Sequence, residues 1–291
     1  MLAFGHDISA PFLEKVNNLS ALPQLSVIQT PHSPVALSQK LTFNQNQGRD
    51  VLLCTDLNFY ENLPQQNWAF EVVDVVSFYW CNGANIIYYH EHTNGTATLS
   101  KYWFLHTLLP MFMSIEDKYE LIHAGAVEID NQAVLFIAPS YGGKSTLTNH
   151  FINQGHTMIS DDKVALHLQG SEIMATASYP YHRPYRKMED LGKRVSSFML
   201  NSKKLHSIYL LSNTDPDEET SFHQLKGLDS FKALQYNFDF NLPLNKARTF
   251  ELTANIASKV PIYQLNVPWD INKLDDVYQA LCQHINHKER Q

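Results

Sequence analysis

The chain of 291 residues has few cysteines, little charge and no long apolar run. Its three cysteines, Cys54, Cys81 and Cys282, are far apart and odd in number. That distribution argues for reduced thiols rather than a disulfide framework, and none has a neighbour at metal-ligand spacing, so a zinc site is not expected. Charged residues make up only 18%, and 29 acidic side chains outnumber 22 basic ones for a net charge of −7. A surface of that sign repels a phosphate backbone, so no nucleic-acid partner is expected. The most apolar stretch, Trp103 to Ile115, is too short to span a bilayer and contains His106 and Pro110, so no membrane partner is expected either. Met1 to Asp7 lacks the basic and apolar regions of a secretory signal, from which a cytoplasmic location is expected. With no internal repeat or low-complexity tract, the length fits one large or two modest domains.

The first sixty residues are rich in Asn, Gln, Ser and Pro, with short apolar pieces at Leu25–Ile28 and Val51–Cys54. Val72 to Trp80 and Ala84 to Tyr89 read as strands joined by a turn at Cys81-Asn82-Gly83. Trp103 to Phe112 reads as helix, with Pro110 awkward in its interior. Leu121–Ile129 and Ala133–Ile137 flank Asp130-Asn131 as a hairpin, and Val164–Leu168 and Glu172–Ala175 form another across Gln169-Gly170-Ser171. His206–Leu211 and Ile262–Val267 are further strands. An amphipathic helix over Ile271–His284 closes the chain, with Ile271, Leu274, Val277, Tyr278 and Leu281 on one face. The expected fold is α/β with a mixed sheet: a β-rich N-terminal module over 1–100 and a nucleotide-binding domain of P-loop type over 101–291.

The loop itself is Ala138-Pro139-Ser140-Tyr141-Gly142-Gly143-Lys144-Ser145. It follows the phosphate-binding pattern G-x-x-x-x-G-K-[ST], with Ala138 in place of the first glycine. The apolar run Ala133–Ile137 precedes it as a buried strand, and Thr146–Ile152 follows as helix, stopped by Gly155. Strand, glycine loop and helix together aim backbone N–H groups and a helix N-terminus at phosphates. Ala138, Pro139, Ser140, Tyr141, Gly142, Gly143, Lys144, Ser145 and Thr146 are therefore the expected nucleotide-binding residues. Lys144 is suited to the β- and γ-phosphates and the Ser145 hydroxyl to Mg²⁺. Asp161 and Asp162 end the strand after the helix. On extended chain they point to opposite sides, so that one carboxylate can face the transferred phosphoryl group while the other supports the metal.

His123-Ala124-Gly125, the loop, and Gln154-Gly155-His156-Thr157-Met158-Ile159-Ser160-Asp161-Asp162 together resemble the catalytic core of the HPr kinase/phosphorylase family. The resemblance covers residues 119–180 well, the rest of the C-terminal region loosely, and the first hundred residues not at all. It implies a fold related to ATP-dependent phosphoenolpyruvate carboxykinase, with ATP and Mg²⁺ as cofactors. It also implies roles: Asp161 as the general base that takes a serine hydroxyl proton, His123 as the residue supporting that carboxylate, Lys144 on the phosphates, and Ser145 and Asp162 on the metal. Ala138 and Tyr141 stand where the family has glycines. The glycine- and arginine-containing segment that bifunctional members carry after the Asp pair is not found, which leaves the phosphorylase reaction and HPr as substrate without the segment that marks them in the family. The chain looks more like divergent kinases of the superfamily that act on a serine of a precursor peptide or other acceptor. Family members often form homo-oligomers.

The segment Tyr179 to Lys187 supplies Arg183 and Arg186 as expected contacts to the γ-phosphate or an anionic acceptor, with Arg248 a weaker third. Asp215 to Glu219 reads as an exposed acidic loop, and His90 and His92 as a strand entering a turn. The expected function is an ATP/Mg-dependent kinase transferring the γ-phosphate to a hydroxyl, a serine of a peptide or protein. A small-molecule kinase on the same core, and a nucleotide-binding regulator with little turnover, are the two alternatives.

Overall fold

A computed structural model describes residues 1–14, 21–32, 37–46, 48–116, 118–183 and 187–288. The chain forms two compact units: Met1–Tyr119 with Tyr185–Gly192 and Phe240–Arg248, and Glu120–Pro184 with Lys193–Asp239 and Thr249–Gln291. The division at Tyr119/Glu120 lies beyond the expected boundary at residue 100, and two later segments return to the first unit.

The first unit is built on an eight-stranded sheet. Its strands are Leu2–Ala3 (β1), His6–Ser9 (β2), Gln24–Gln29 (β3), Gln39–Asn46 (β4), Arg49–Thr55 (β5), Asn67–Val72 (β6), Val76–Cys81 (β7) and Ile86–Glu91 (β8), in the order β1-β2-β3-β8-β7-β6-β5-β4. The expected strand Val72–Trp80 is in fact interrupted by a turn at Val73–Val75. Asp74 there adopts φ 62°, a left-handed conformation that Asp tolerates and that lets β6 fold back on β7. Opposite positions carry Trp68 and Trp80, then Phe70 and Phe78.

The helical stretch Ala97–Trp103 (α1) and Leu109–Ile115 (α2) lays Trp103, Phe104 and Phe112 against Phe70, Phe78 and Trp80. This aromatic packing is why the helix belongs with the preceding strands. Between the two helices, Phe104–Leu108 forms a π turn, and the Leu109 amide reaches back to Phe104. Pro110 has no amide to continue the α-helical ladder, and the wider turn just before it keeps the helix running.

Glu189 returns to this unit from far along the chain. Its carboxylate receives the Arg49 fork at 2.7 and 2.9 Å and the Trp103 indole N–H at 2.8 Å. The Arg49 hydrogen bonds first, then that of Trp103, hold the Glu189 carboxyl below its usual value despite partial burial. A carboxyl so depressed contributes stability above the ordinary glutamate value and loses it as pH falls through the folded value. Glu189→Gln is therefore expected to cost about 1 kcal/mol near neutral pH, since Arg49 is partly exposed. Denaturant midpoints measured from pH 7 down to 3 should show wild type converging on the variant; parallel curves would contradict this.

The second unit carries a nine-stranded mixed sheet. Its strands are Glu120–His123 (β9), Gly125–Ile129 (β10), Gln132–Ile137 (β11), Thr157–Ser160 (β12), Lys163–Gln169 (β13), Glu172–Thr176 (β14), Lys203–Thr214 (β17), Ser221–Leu225 (β18) and Ile262–Pro268 (β19), with the short pair Tyr181–His182 (β15) and Lys193–Arg194 (β16) apart from it. Asp130 and Asn131, both at positive φ, make the two-residue turn between β10 and β11. β11 is antiparallel to β10 and parallel to β17, which is in turn parallel to β19.

The helices are Lys144–Asn153 (α3), Leu228–Gln235 (α4), Lys246–Lys259 (α5) and Leu274–Lys288 (α6). Along β11 the side chains alternate between two cores. Ala133, Leu135 and Ile137 join a cluster with Leu234, Leu252 and Ile256, while Val134 and Phe136 join one with Leu147, Phe151, Val277 and Leu281. Burial on both faces explains why β11 reads as an uninterrupted apolar run. The closing helix begins later than expected. Ile271 lies in a preceding 3₁₀ turn and is 68% exposed, and Ile285 instead completes the buried stripe.

Candidate functional site

Two breaks in the pairing of the second unit create the site. The expected strand Leu121–Ile129 is split at Ala124: β10 pairs with β11 and β12, whereas β9 pairs with β13. The chain makes the same change of partner at Asp161-Asp162, between β12 and β13. The Ala124 amide donates to the Asp162 carbonyl at 3.1 Å and ties the two breaks together. Ser160 closes the second one by donating its hydroxyl to the Lys163 carbonyl at 2.8 Å.

From β11 the chain enters the loop and then α3. The Gly142 amide donates to the Pro139 carbonyl at 3.0 Å. A Cβ on Gly142 would meet that of Ala138 at 2.9 Å, so the turn closes only with glycine there. Gly143, at φ 85°, occupies the N-cap of α3 and brings no capping side chain. Tyr141 is at φ 64° and 79% exposed, a backbone state that favours glycine. This gives a physical reason why glycine suits that position. Gly125 sets the closeness of α3 to β10, because a Cβ there would come within 2.2 Å of Thr148 Oγ1 and 3.3 Å of Lys144 Cγ.

Lys144 opens α3 and is 94% buried, with only 6% of its surface exposed. Its Nζ lies 3.0 Å from His123 Nε2. An ammonium can only donate, so Nε2 accepts and the ring proton sits on Nδ1. Nδ1 lies 3.1 Å from Asp162 Oδ1, the arrangement in which that N–H donates to the carboxylate. Asp162 Oδ2 is 3.2 Å from Lys163 Nζ, which also lies 3.3 Å from Asp239 Oδ2. Burial pulls the Lys163 ammonium down, but Asp162 and Asp239, with Tyr179, outweigh it and leave its pKa raised.

The expected pairing of His123 with Asp161 is not what forms. β9 sets His123 opposite Lys163, next to Asp162. Asp161 turns elsewhere. It is 5% exposed, its Oδ2 accepts the Arg183 amide at 2.8 Å, and His182 Nδ1 stands 3.0 Å away. Its Oδ1 is buried with no hydrogen-bond partner among the described residues. His182 escaped sequence reading because nothing in its local pattern separates it from the other histidines. Its position just before Arg183 is the one signal, and it becomes legible only once β15 is known to sit beside Asp161.

Of the other expected contacts, Ser145 and Thr146 lie in the first turn of α3. Ser140 and Tyr141 are exposed on the loop. Arg183 is placed by its backbone beside Asp161, and Arg186 lies outside the described residues. Arg248 belongs to the first unit, where it donates to the Ser114 carbonyl at 2.6 Å, which makes it a structural residue there. His90 and His92 are likewise engaged structurally, with the Thr30 carbonyl and the Ser77 hydroxyl. Asp215 to Glu219 are exposed, as a solvated acidic turn should be. Among the described residues no three His, Cys, Asp or Glu side chains cluster to hold a metal by themselves.

No family model matches this chain, and no curated protein matches it. Among solved structures, the HPr(Ser) kinase/phosphatase from Coxiella burnetii is similar over 59% of this chain and 99% of that one, with 15% identity and a TM-score of 0.36.

Proposed function

We propose that this chain is an ATP- and Mg²⁺-dependent kinase that moves the γ-phosphate to a hydroxyl, a serine of a peptide or protein. The observation that carries the reading is the pairing, in one unit, of a glycine-closed loop leading into Lys144 with a buried carboxylate, Asp161, of which one oxygen is held and the other has no partner among the described residues. A buried carboxylate oxygen without a donor is costly in a resting protein, and a hydroxyl is the kind of group that would satisfy it. Gly143 opens α3 without a capping side chain, which leaves the amides of its first turn as donors for phosphate oxygens.

In this reading the acceptor O–H proton passes to Asp161 as the oxygen bonds to the γ-phosphorus. The bond from that phosphorus to the bridging oxygen breaks, and ADP leaves. Lys144 neutralises phosphate charge, and His123 Nε2, 3.0 Å from its Nζ, helps to position the ammonium. Ser145 and Asp162 would hold Mg²⁺, which supplies further charge neutralisation when bound and needs few protein ligands beside the phosphates. The mechanism differs from the family expectation in one respect: His182, not His123, stands beside the base.

The test is transfer from γ-labelled ATP, with Mg²⁺, to a pool of serine-containing peptides and a cell lysate. Label on a serine is the expected result. Lys144→Ala should weaken ATP binding by roughly 10- to 100-fold, the value of a charge-assisted contact. Tight ATP binding with neither transfer nor hydrolysis would sink the kinase reading and leave a nucleotide-binding regulator.

A further inference from the structure

We propose that the cleft between the loop and the chain following β19 receives the nucleobase, with Trp269 as its stacking wall. This rests on the reading of the loop as a phosphate cradle and extends it to the rest of the nucleotide. A cavity of about 250 Å³ starts at Gly142 and Gly143 and runs past Thr146 and Leu147 to Val267 and Trp269. A ligand with its phosphates on the loop would reach it without a break. The volume falls short of the roughly 300–1,000 Å³ of sites that enclose a whole drug-sized ligand. It suits one flat ring system.

Trp269 is the feature that selects the ligand class. It is 54% exposed, whereas Trp68, Trp80 and Trp103 are buried. Its ring covers Gly143, where a Cβ would stand 3.3 Å from Cζ3 and 3.8 Å from Cη2. The backbone holds it in place, because the Trp269 amide donates to the Thr214 carbonyl at 3.0 Å. A large aromatic face kept half in water beside a phosphate-type loop is a ready platform for a base. Leu211 and Leu274 add apolar wall. Asp270 Oδ1 is taken by the Asn272 amide and side chain, which leaves Asp270 Oδ2, Thr146 and Asn213 as the few polar groups able to meet a base edge. Stacking then outweighs edge recognition, and ATP and GTP should bind within about tenfold of each other.

Binding of ATP, adenosine and inorganic tripolyphosphate to the full chain, followed by tryptophan fluorescence and calorimetry, tests the assignment. ATP and adenosine should quench the exposed tryptophan, and tripolyphosphate should not. Trp269→Ala should weaken ATP by about tenfold or more and leave tripolyphosphate unchanged, as loss of one base stack implies. Trp269→Phe, which keeps an aromatic face, should restore ATP affinity to within a few-fold and abolish the quench. Equal weakening of ATP and tripolyphosphate by Trp269→Ala, or no weakening of either, would overturn the base site. Lys144→Ala separates the two readings. It should weaken ATP and tripolyphosphate alike, and if it weakens neither while Trp269→Ala still weakens ATP and adenosine, the phosphate reading fails and the base site stands.

Discussion

Asp161→Asn is expected to lower turnover by about 10²–10⁴-fold while ATP affinity stays within a few-fold, because the change removes a proton acceptor and little else. The amide is nearly isosteric with the carboxylate, and its oxygen can still accept from the Arg183 amide as Oδ2 does now. What it loses is the basic oxygen at Oδ1, the atom without a partner among the described residues. The measurement is kcat on a serine acceptor beside the dissociation constant for ATP. Parallel loss of both would instead make Asp161 a metal or structural residue, and unchanged turnover would remove it from the chemistry. His182 enters the same experiment as a positioning residue. If it orients Asp161, His182→Asn should lower kcat and change the pH profile of turnover without touching ATP affinity.

Lys163→Met should destabilise the second unit by about 2–4 kcal/mol. Removing one partner of a buried ion pair costs about 3–5 kcal/mol, because the other charge is left unpaired in a poorly solvated place. Here there are two such charges, Asp162 and Asp239, and their partial exposure of 22% and 26% reduces the cost of each. Lys163 itself is buried, and its pKa is raised because the two carboxylates outweigh its burial. The sign follows from linkage: a raised lysine contributes fully below its unfolded value and loses that contribution only as pH climbs through the folded one. The gap between wild type and Lys163→Met should therefore hold across neutral and mildly alkaline pH. Denaturant midpoints at constant slope give the value. Adding Asp239→Asn to Lys163→Met should recover part of the loss, as one unpaired carboxylate is removed. A cost below about 1 kcal/mol would show that the three groups act as a surface network.

The loop and its flanks were legible because their constraints are local. A continuous apolar run, glycines at a close turn and a lysine opening a helix follow one another in the chain. The hairpin at Asp130-Asn131 was legible for the same reason, since two residues at positive φ need that kind of dipeptide. Pairing across strands was not. Nothing near His123 announces that β9 pairs with β13, and it is this register that sets His123 beside Asp162. The split of Leu121–Ile129 into two strands was hidden too, because both halves are apolar and only their partners differ. α4 and α5 also escaped the sequence reading. Their apolar positions are few, with Leu234 in one and Leu252 and Ile256 in the other reaching the core, so the helical period is faint beside the strong alternation of the strands.

The first unit is assembled from three stretches of chain, and the last of them ends at Arg248. During synthesis, then, its sheet and long helix emerge before Glu189, the acceptor for both the Arg49 guanidinium and the Trp103 indole, has been made. The same holds for Asn245 and Arg248, which bond to Ser114 at the end of that helix. No fragment that begins at Met1 and stops before Arg248 contains the whole unit. The first unit is therefore completed only after most of the second unit has been translated.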